Sequence, residues 1–418
     1  MLRLLADRAS ALWNVGNYEY RQAVIHNTKQ PTDKSLCATL KEHEVFRSLP
    51  SDIAQEVLKK LSEAWKSCNA LRQKHKKGEL KHKPGLVDYR KNKDGTRPAD
   101  WLPIKHSRSY SFSESEVTIP LPRDLRKKVG RFSLVYRGVL RFIGEGKRAE
   151  LLWDTGRARW YFSFSVETAA KPLKKHTRAA AIDLGVRVLA SLSIQNKDQS
   201  LHFLGRDVLK DWDYFGRQIA AHQQELSHRP KEQRSSEQLR RLYQKRKARL
   251  VSAWEAMAVR MLSWLRLEKV GVVSLGYPKG ILREATYSKE WNGRIHSFWS
   301  FEQVLKILEK HLANAGIESK RVSERGTSSH CPWCQSEAVV RAPRHVLSCG
   351  SCQKKIHSDQ AGSRNIMKKE NPGISWDALE ARARPDTRRW NKHRWVDAEN
   401  RPQWRAPAAD EAPGILVL

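Results

Sequence analysis

Apolar residues recur at helical spacing in the first part of the chain. Two periodic segments lie within residues 3–75, and the second runs from Ile53 to Trp65. Apolar positions three and four residues apart put one face of a helix against a core, so this pattern predicts amphipathic helices. Ser51 or Asp52 is the expected N-cap of the second helix, because both side chains can accept a hydrogen bond from the first turn.

The pattern changes from helical to alternating after about residue 105, and the alternation continues to about residue 168. Alternating apolar and polar residues predict half-buried strands, and Gly and Pro separate the segments. We therefore expect a small antiparallel β-barrel. Its strand segments are residues 109–112, 117–121, 139–143 and 160–166.

A small apolar strand that contains Asp183 opens the next part of the chain. Two further apolar runs follow closely, so a three-stranded meander is predicted. A long basic helical region, a buried strand, an amphipathic helix and a short strand should come after it. These elements occupy residues 188–194, 201–204, 207–267, 270–275, 301–315 and 320–324.

The charge of the chain indicates a polyanionic partner. Its 418 residues include 78 Lys and Arg against 45 Asp and Glu, which gives a net charge of +33. Nucleic acid is the expected partner, because each neutralised phosphate releases counterions. A membrane surface is the competing interpretation, but there is no apolar run of about twenty residues and no signal peptide at Met1.

Four of the six cysteines form two C-x-x-C knuckles separated by fourteen residues. Two such knuckles are typical of a zinc ribbon, because zinc prefers four soft ligands in a tetrahedron. We expect this zinc to be structural and the chain to reside in a reducing cytoplasm. Cys37 and Cys68 are interpreted as helical core positions. The predicted zinc ligands are Cys331, Cys334, Cys349 and Cys352.

Two aspartates stand at the beginning and end of this part of the chain. The order of strand, acid, meander, helix, strand, helix and second acid is that of an RNase H-like fold. In that fold carboxylates converge to hold two divalent ions about 4 Å apart, and Mg²⁺ suits them. Asp183 and Asp359 fit the first and last places. Alternatively, Asp183 is a turn residue, and Asp359 caps a helix.

The ordering, with a zinc ribbon just before the last acid, resembles the RuvC domain of the transposon-encoded TnpB nucleases and of compact type V CRISPR effectors. The resemblance extends over residues 175–370, and weaker matches to a first recognition helix lie at residues 12–14 and 17–18. The matching segments are residues 181–185, 276–281, 324–334, 357–360 and 365–366.

The resemblance implies a multidomain α+β architecture. Family members usually begin with a barrel strand, whereas this chain begins almost on a helix, so either the barrel lacks a strand or the start is assigned too late. The implied domains are a helical recognition lobe (1–100), an antiparallel wedge β-barrel (101–175), an RNase H-like RuvC domain (176–325), an inserted zinc ribbon (326–355), the RuvC closing helix (356–372) and a basic tail rich in Trp and Arg (373–418). The tail is expected to be poorly ordered or to contact RNA.

One departure from the family concerns catalysis. The family's middle acid commonly ends the strand predicted at 270–275, but this chain has Ser274, Leu275 and Gly276 there. Some branches carry the acid on the neighbouring strand, so the resemblance favours Glu324 as the third Mg²⁺ ligand beside Asp183 and Asp359. The alternatives are an exposed Glu324 paired with an arginine, and Glu284 as the ligand.

The resemblance implies an RNA-guided DNA endonuclease that uses two Mg²⁺ ions, binds a guide RNA and cuts double-stranded DNA next to a short flanking motif. Two other functions stay open: a guided DNA-binding repressor with lost nuclease activity, and a zinc-ribbon protein that binds nucleic acid without a guide. We expect a prokaryotic, nucleoid-associated protein. The oligomeric state and the origin of the guide, from a CRISPR array or a transposon, are not predicted.

Overall fold

The computed structural model divides the chain into two compact units. The first comprises Met1–Ala169 with Leu226–Arg241, and the second comprises Ala170–Glu225 with Leu242–Leu418. The structure describes residues 1–92, 94–104, 110–113, 115–137, 145–167, 171–173, 175–230, 233–277, 298, 300–341, 345–374 and 385–398.

The first unit begins with helices, as the periodicity predicted. The N-cap of the long fourth helix is Pro50, so Ser51 is already helical and the predicted cap at Ser51 or Asp52 is wrong. Proline has a fixed φ and no N–H to donate, which suits it to the start of a helix. The helices are α1 (Leu2–Ile25), α2 (Asp33–Leu40), α3 (Glu44–Arg47) and α4 (Ser51–Lys76).

Polar side chains of α1 hold an extended segment of the chain. Asn17 donates to the carbonyl oxygen of Val87 at 3.1 Å and accepts from the indole of Trp65 at 2.8 Å. Asn14 exchanges two hydrogen bonds with the backbone of Arg90. Because these amides satisfy backbone groups, the Asn14 and Asn17 motif has a structural role in this unit.

The rest of the first unit forms two open three-stranded sheets, with strand orders β1-β5-β6 and β2-β3-β4. Within the described residues no pairing joins them, so the predicted closed barrel is not what these strands form; closure requires hydrogen bonds between the first and last strands. The predicted strand at 139–143 lies outside the described residues. The elements are β1 (Trp101–Ile104), β2 (Ser111–Phe112), β3 (Glu116–Ile119), α5 (Arg123–Val129), β4 (Phe132–Val135), β5 (Glu145–Asp154) and β6 (Arg159–Glu167).

The second unit is built on a seven-stranded sheet. The meander is confirmed, because β7 pairs antiparallel with β8 and β8 with β9. Strand β10 lies parallel to β7 on the other side, and β11 lies parallel to β10. The elements are β7 (Arg178–Leu184), β8 (Val188–Ile194), β9 (Ser200–Leu204), α6 (Arg206–Ser227), α7 (Glu237–Leu267), β10 (Val270–Tyr277), α8 (Phe301–Asn314) and β11 (Glu318–Ser323).

Both faces of this sheet are covered. Ala180 and Ile182 of β7 face a core that includes apolar residues of α7 and α8. Ala179 and Ala181 alternate to the other face, where they pack with the cysteine knuckles and a closing helix. A strand buried on both faces is expected to be apolar throughout, which explains the sequence of β7. The remaining elements of this face are β12 (Val339–Arg341), β13 (Val346–Cys349), β14 (Lys355–His357) and α9 (Ser358–Glu370).

Residues from the predicted tail extend the sheet. Strand β15 (Asp386–Trp390) pairs parallel with β9, and β16 (Trp395–Asp397) pairs antiparallel with β15. The expectation of poor order is therefore wrong for residues 385–398. Trp390 and Trp395 are only 3% and 8% exposed. Their burial explains why these residues are ordered, since aromatic side chains contribute much apolar area. No described helix is long and apolar enough to cross a membrane.

Candidate metal centres

Three predicted acids meet at one edge of the large sheet. Asp183 lies near the carboxyl end of β7, Glu324 follows the carboxyl end of β11, and Asp359 lies in the first turn of α9. Because β7, β10 and β11 are parallel, their carboxyl ends share one edge. Helix α9 packs across β7, β8 and β10 and brings Asp359 to the same place.

Electrostatics show how closely the acids interact. Burial raises the pKa of Asp183 well above its usual value, and the carboxylates of Glu324 and Asp359 raise it further. Burial raises the pKa of Glu324 to about 7 and also raises that of Asp359. The backbone N–H of Leu184 acts on both Asp183 and Glu324, so these two carboxylates meet at the same point of the backbone. The pKa of Asp183 is therefore raised by both of the other acids.

Two observations describe the space around these acids. The Oε1 atom of Glu324 is buried and has no hydrogen-bond partner. Glycines also leave space for the carboxylates: a Cβ added at Gly362 would overlap Asp183 Oδ2, and one added at Gly276 would overlap Glu324 Oε1. Buried like charges with an unpaired oxygen are costly unless a cation compensates them, and carboxylates are ligands that Mg²⁺ prefers.

Basic and imidazole groups surround Asp359. His357 Nδ1 accepts a 3.3 Å hydrogen bond from the Asp359 N–H, which caps α9, and the His357 ring lies 4.7 Å from that of His202. Arg187, in the turn after β7, and Arg341, at the end of β12, lower the pKa of Asp359 against the effect of burial. Two arginines therefore lie near enough to the acids to act on their charge.

The four knuckle cysteines converge as predicted. Their Sγ atoms all lie within 4.8 Å of one another, and the Cys331–Cys352 and Cys334–Cys349 pairs are 3.5 Å apart. Tetrahedral zinc with Zn–S bonds of about 2.3 Å places its sulfur atoms about 3.8 Å apart, so the cluster fits zinc closed by four thiolates. Strands β12, β13 and β14 form the ribbon, and β14 continues directly into α9.

Two parts of the chain match known protein families. Residues 162–282 match the family described as a probable transposase, OrfB_IS605, and residues 301–366 match the TNB domain of Cas12f1-like proteins. The TnpB-like protein ORF457 of Acidianus two-tailed virus is 28% identical over 403 residues, which cover 88% of this chain and 83% of that protein.

The predicted resemblance to the TnpB family is confirmed. The protein chain of the solved Cas12f1–sgRNA–target DNA complex superposes on this TnpB-like chain with a TM-score of 0.61 and 14% identity, over 88% of this chain and 82% of that one. The TnpB-like chain thus has a mixed α+β, multidomain fold similar to that of Cas12f1.

Sequence reasoning named the three acids that meet in this TnpB-like chain but not their cationic neighbours. Arg187 and Arg341 are two of 78 basic residues, and nothing in their local sequence distinguishes them. The alternative pairing of Glu324 with Arg321 or Arg325 is not among the ion pairs of the described residues, and Arg321 binds Glu302 and Glu309 instead. Glu284 lies outside the described residues.

Proposed function

We propose that this chain is an RNA-guided DNA endonuclease. Its site for phosphodiester hydrolysis is formed by Asp183, Glu324 and Asp359. The observation that carries the proposal is that these three buried carboxylates, from three separate elements, lie close enough for Glu324 and Asp359 to raise the pKa of Asp183, while the buried Oε1 atom of Glu324 has no hydrogen-bond partner. In a family of nucleases, such a cluster is best explained as the site that holds the catalytic ions.

Asp183, Glu324 and Asp359 would together hold the two Mg²⁺ ions. When bound, the ions supply an activated water and neutralise charge on the scissile phosphate. Arg187 and Arg341 would orient the phosphate, because guanidinium groups donate paired hydrogen bonds to phosphate oxygens. His357 would keep Asp359 in position by capping α9.

The remaining parts would serve nucleic-acid binding. The net charge of +33 suits a guide RNA and a DNA target. Residues 1–100 would act as the recognition lobe and residues 101–175 as the wedge, while residues 176–325 and 356–372 would form the RuvC domain. Zinc in the ribbon (326–355) would be structural, because four thiolates leave no open coordination position.

Cleavage of a plasmid target tests the proposal. The chain purified with its own RNA is incubated with Mg²⁺ beside Asp183→Ala, Glu324→Ala and Asp359→Ala. Removing any acid should lower the rate by at least about 100-fold. Glu318→Ala is the matched control, because Glu318 is an exposed acid at the opposite end of β11. Full activity of Glu324→Ala would remove Glu324 from the site.

The absence of a carboxylate from Ser274, Leu275 and Gly276 of β10 favours a second candidate, a guided DNA-binding protein without cleavage. Wild-type protein that binds a matched target but leaves it uncut at every Mg²⁺ concentration would support this candidate. Heterogeneous RNA fragments, in place of one defined RNA in the purified protein, would instead indicate binding without a guide.

A further inference from the structure

The carboxyl group of Glu324 occupies the space that a side chain at position 276 would need. Strands β10 and β11 run parallel, with Gly276 paired to Val322, so Glu324 lies two residues beyond Gly276's partner and on the same face. A Cβ built at Gly276 would overlap Glu324 Oε1 and would come 2.9 Å from Cδ1 of Ile366 and 3.0 Å from Cγ of Glu324. No real Cβ tolerates such contacts, so one of the groups would have to move.

The surroundings leave the carboxylate little choice of position. Ile366 of α9 is fully buried, and Val322 is 5% exposed on the same face of the sheet. Ser274, two residues before Gly276, is also buried and small. The face of β10 that meets α9 therefore carries no bulky side chain at its carboxyl end, and the Glu324 carboxyl group fills that space.

We propose that Gly276 is a positioning residue for catalysis. Because glycine has no side chain, the Glu324 carboxylate has room to enter the acid cluster. A carboxylate at this position could therefore come from the end of β10 or from the end of β11. This inference rests on the proposed nuclease function and adds a requirement to it. When the carboxylate comes from the end of β11, the residue at the end of β10 must be small.

The first consequence concerns Gly276→Ala. The new methyl group meets the end of a flexible glutamate side chain before it meets backbone, so the fold should survive while the carboxylate moves. A displacement of about 1 Å in a catalytic group can cost about 100-fold in rate. We expect that loss for Gly276→Ala, together with at least tenfold weaker Mn²⁺ binding.

The second consequence is that the acid can be moved back. An aspartate at 276 projects its carboxyl group from a Cβ that already overlaps the Oε1 position of Glu324. The double variant Gly276→Asp with Glu324→Ala should therefore return a carboxylate to the cluster. We expect at least tenfold recovery over Glu324→Ala alone, both in cleavage rate and in Mn²⁺ affinity.

The experiment measures plasmid cleavage and, separately, Mn²⁺ binding by calorimetry on the RNA-bound chain. Asp183→Ala is the reference for Mn²⁺ that binds elsewhere than at the acid cluster. Gly216→Ala is the matched control, because Gly216 lies in α6 and an added Cβ there meets nothing within 4 Å. Circular dichroism and melting temperature establish that each variant is folded.

Wild-type cleavage and Mn²⁺ affinity in Gly276→Ala would overturn the inference, as would a folded double variant that stays at the level of Glu324→Ala. Glu324→Asp provides a test that needs no transplanted acid. Its shorter side chain retracts from position 276, so Gly276→Ala should cost less in that background. Equal losses in both backgrounds would contradict the steric relation. A wild-type chain that neither binds Mn²⁺ nor cuts DNA would overturn the proposed function itself.

Discussion

Asn365 of the closing helix donates a buried 2.7 Å hydrogen bond to the carbonyl oxygen of Thr327. Its second amide hydrogen goes to the carbonyl oxygen of His330 at 2.8 Å. Thr327 follows Glu324 by three residues, and His330 immediately precedes the first zinc knuckle. One side chain therefore joins the helix of Asp359 to the loop that links Glu324 with the ribbon.

Asn365→Asp should destabilise the second unit without changing the size of the side chain. A carboxylate cannot donate to either carbonyl group, so two buried acceptors lose their partner and face a negative charge. We expect a loss of about 2–4 kcal/mol in the free energy of unfolding, measured by urea titration. Exposed Asn314→Asp is the control, and equal losses in both variants would contradict the role of the amide.

Zinc removal should unfold the ribbon. Cys331, Cys349 and Leu347 are almost fully buried where the knuckles converge, and loss of the ion should expose them. We expect one zinc per chain by elemental analysis and loss of hydrogen-exchange protection over residues 331–357 after chelation. Cys349→Ser should lose the zinc, whereas Cys37→Ser should keep it. Purified protein with four reactive knuckle thiols and no zinc would contradict the ribbon.

Glu324→Gln should stabilise the chain when divalent ions are absent. The folded-state pKa of Glu324 is raised from 4.5 to about 7, so its charge destabilises the fold above pH 7, and this penalty disappears as the pH falls to 4.5. At 1.4 kcal/mol per pKa unit the gain at pH 8 is on the order of 3 kcal/mol. Thermal unfolding in EDTA measures it, and a variant that is less stable than wild type at pH 8 would refute the prediction.

His202 should make the fold sensitive to acid. Nε2 of its buried ring forms hydrogen bonds with the hydroxyl groups of Ser191 and Ser200, and the ring packs against that of His357. Burial lowers the pKa of His202 from 6.5 to about 3, so the unfolded chain binds a proton that the folded chain does not bind between these values. Stability is therefore fully present above pH 6.5 and is lost as the pH falls, by about 2 kcal/mol at pH 5.

His202→Gln removes the imidazole that binds a proton in the unfolded chain. The variant should lose less stability than wild type between pH 7 and pH 5, as measured by chemical denaturation at each pH. Exposed His393→Gln is the matched control and should follow wild type. Parallel curves for wild type and His202→Gln would show that His202 does not cause the acid sensitivity.

The sequence predicted the parts of this fold whose signal is local. The helices of the first unit, the meander after Asp183 and the cysteine knuckles each follow from residue spacing alone. The order of elements along the chain placed Asp183 and Asp359 in one site, whereas Glu324 needed the family resemblance, because the neighbouring positions of β10 and β11 in the sheet are not written in any one segment.

Long-range pairing explains the failures. Alternation identifies strands such as β3 and β6 but not the edges that they join, so a barrel was predicted where two open sheets form. The tail, rich in Arg and Trp, was expected to be poorly ordered or to contact RNA, yet Arg388 is paired with Asp386 and Asp397, and Trp395 donates to the carbonyl oxygen of Ala253. Asp386 and Asp397 belong to the tail itself, but Ala253 cannot be recognised as a partner from the tail alone.

The pairing of β15 with β9 also sets an order of events during synthesis. Strand β9 emerges early, but its parallel partner at Asp386–Trp390 is made only after the ribbon and α9. Until then β9 presents an unpaired edge, which is prone to pairing with other chains. The last step in building the sheet therefore belongs to the strands translated last, and a pause or truncation before residue 386 would leave a nascent chain with a finished acid cluster and an unprotected edge.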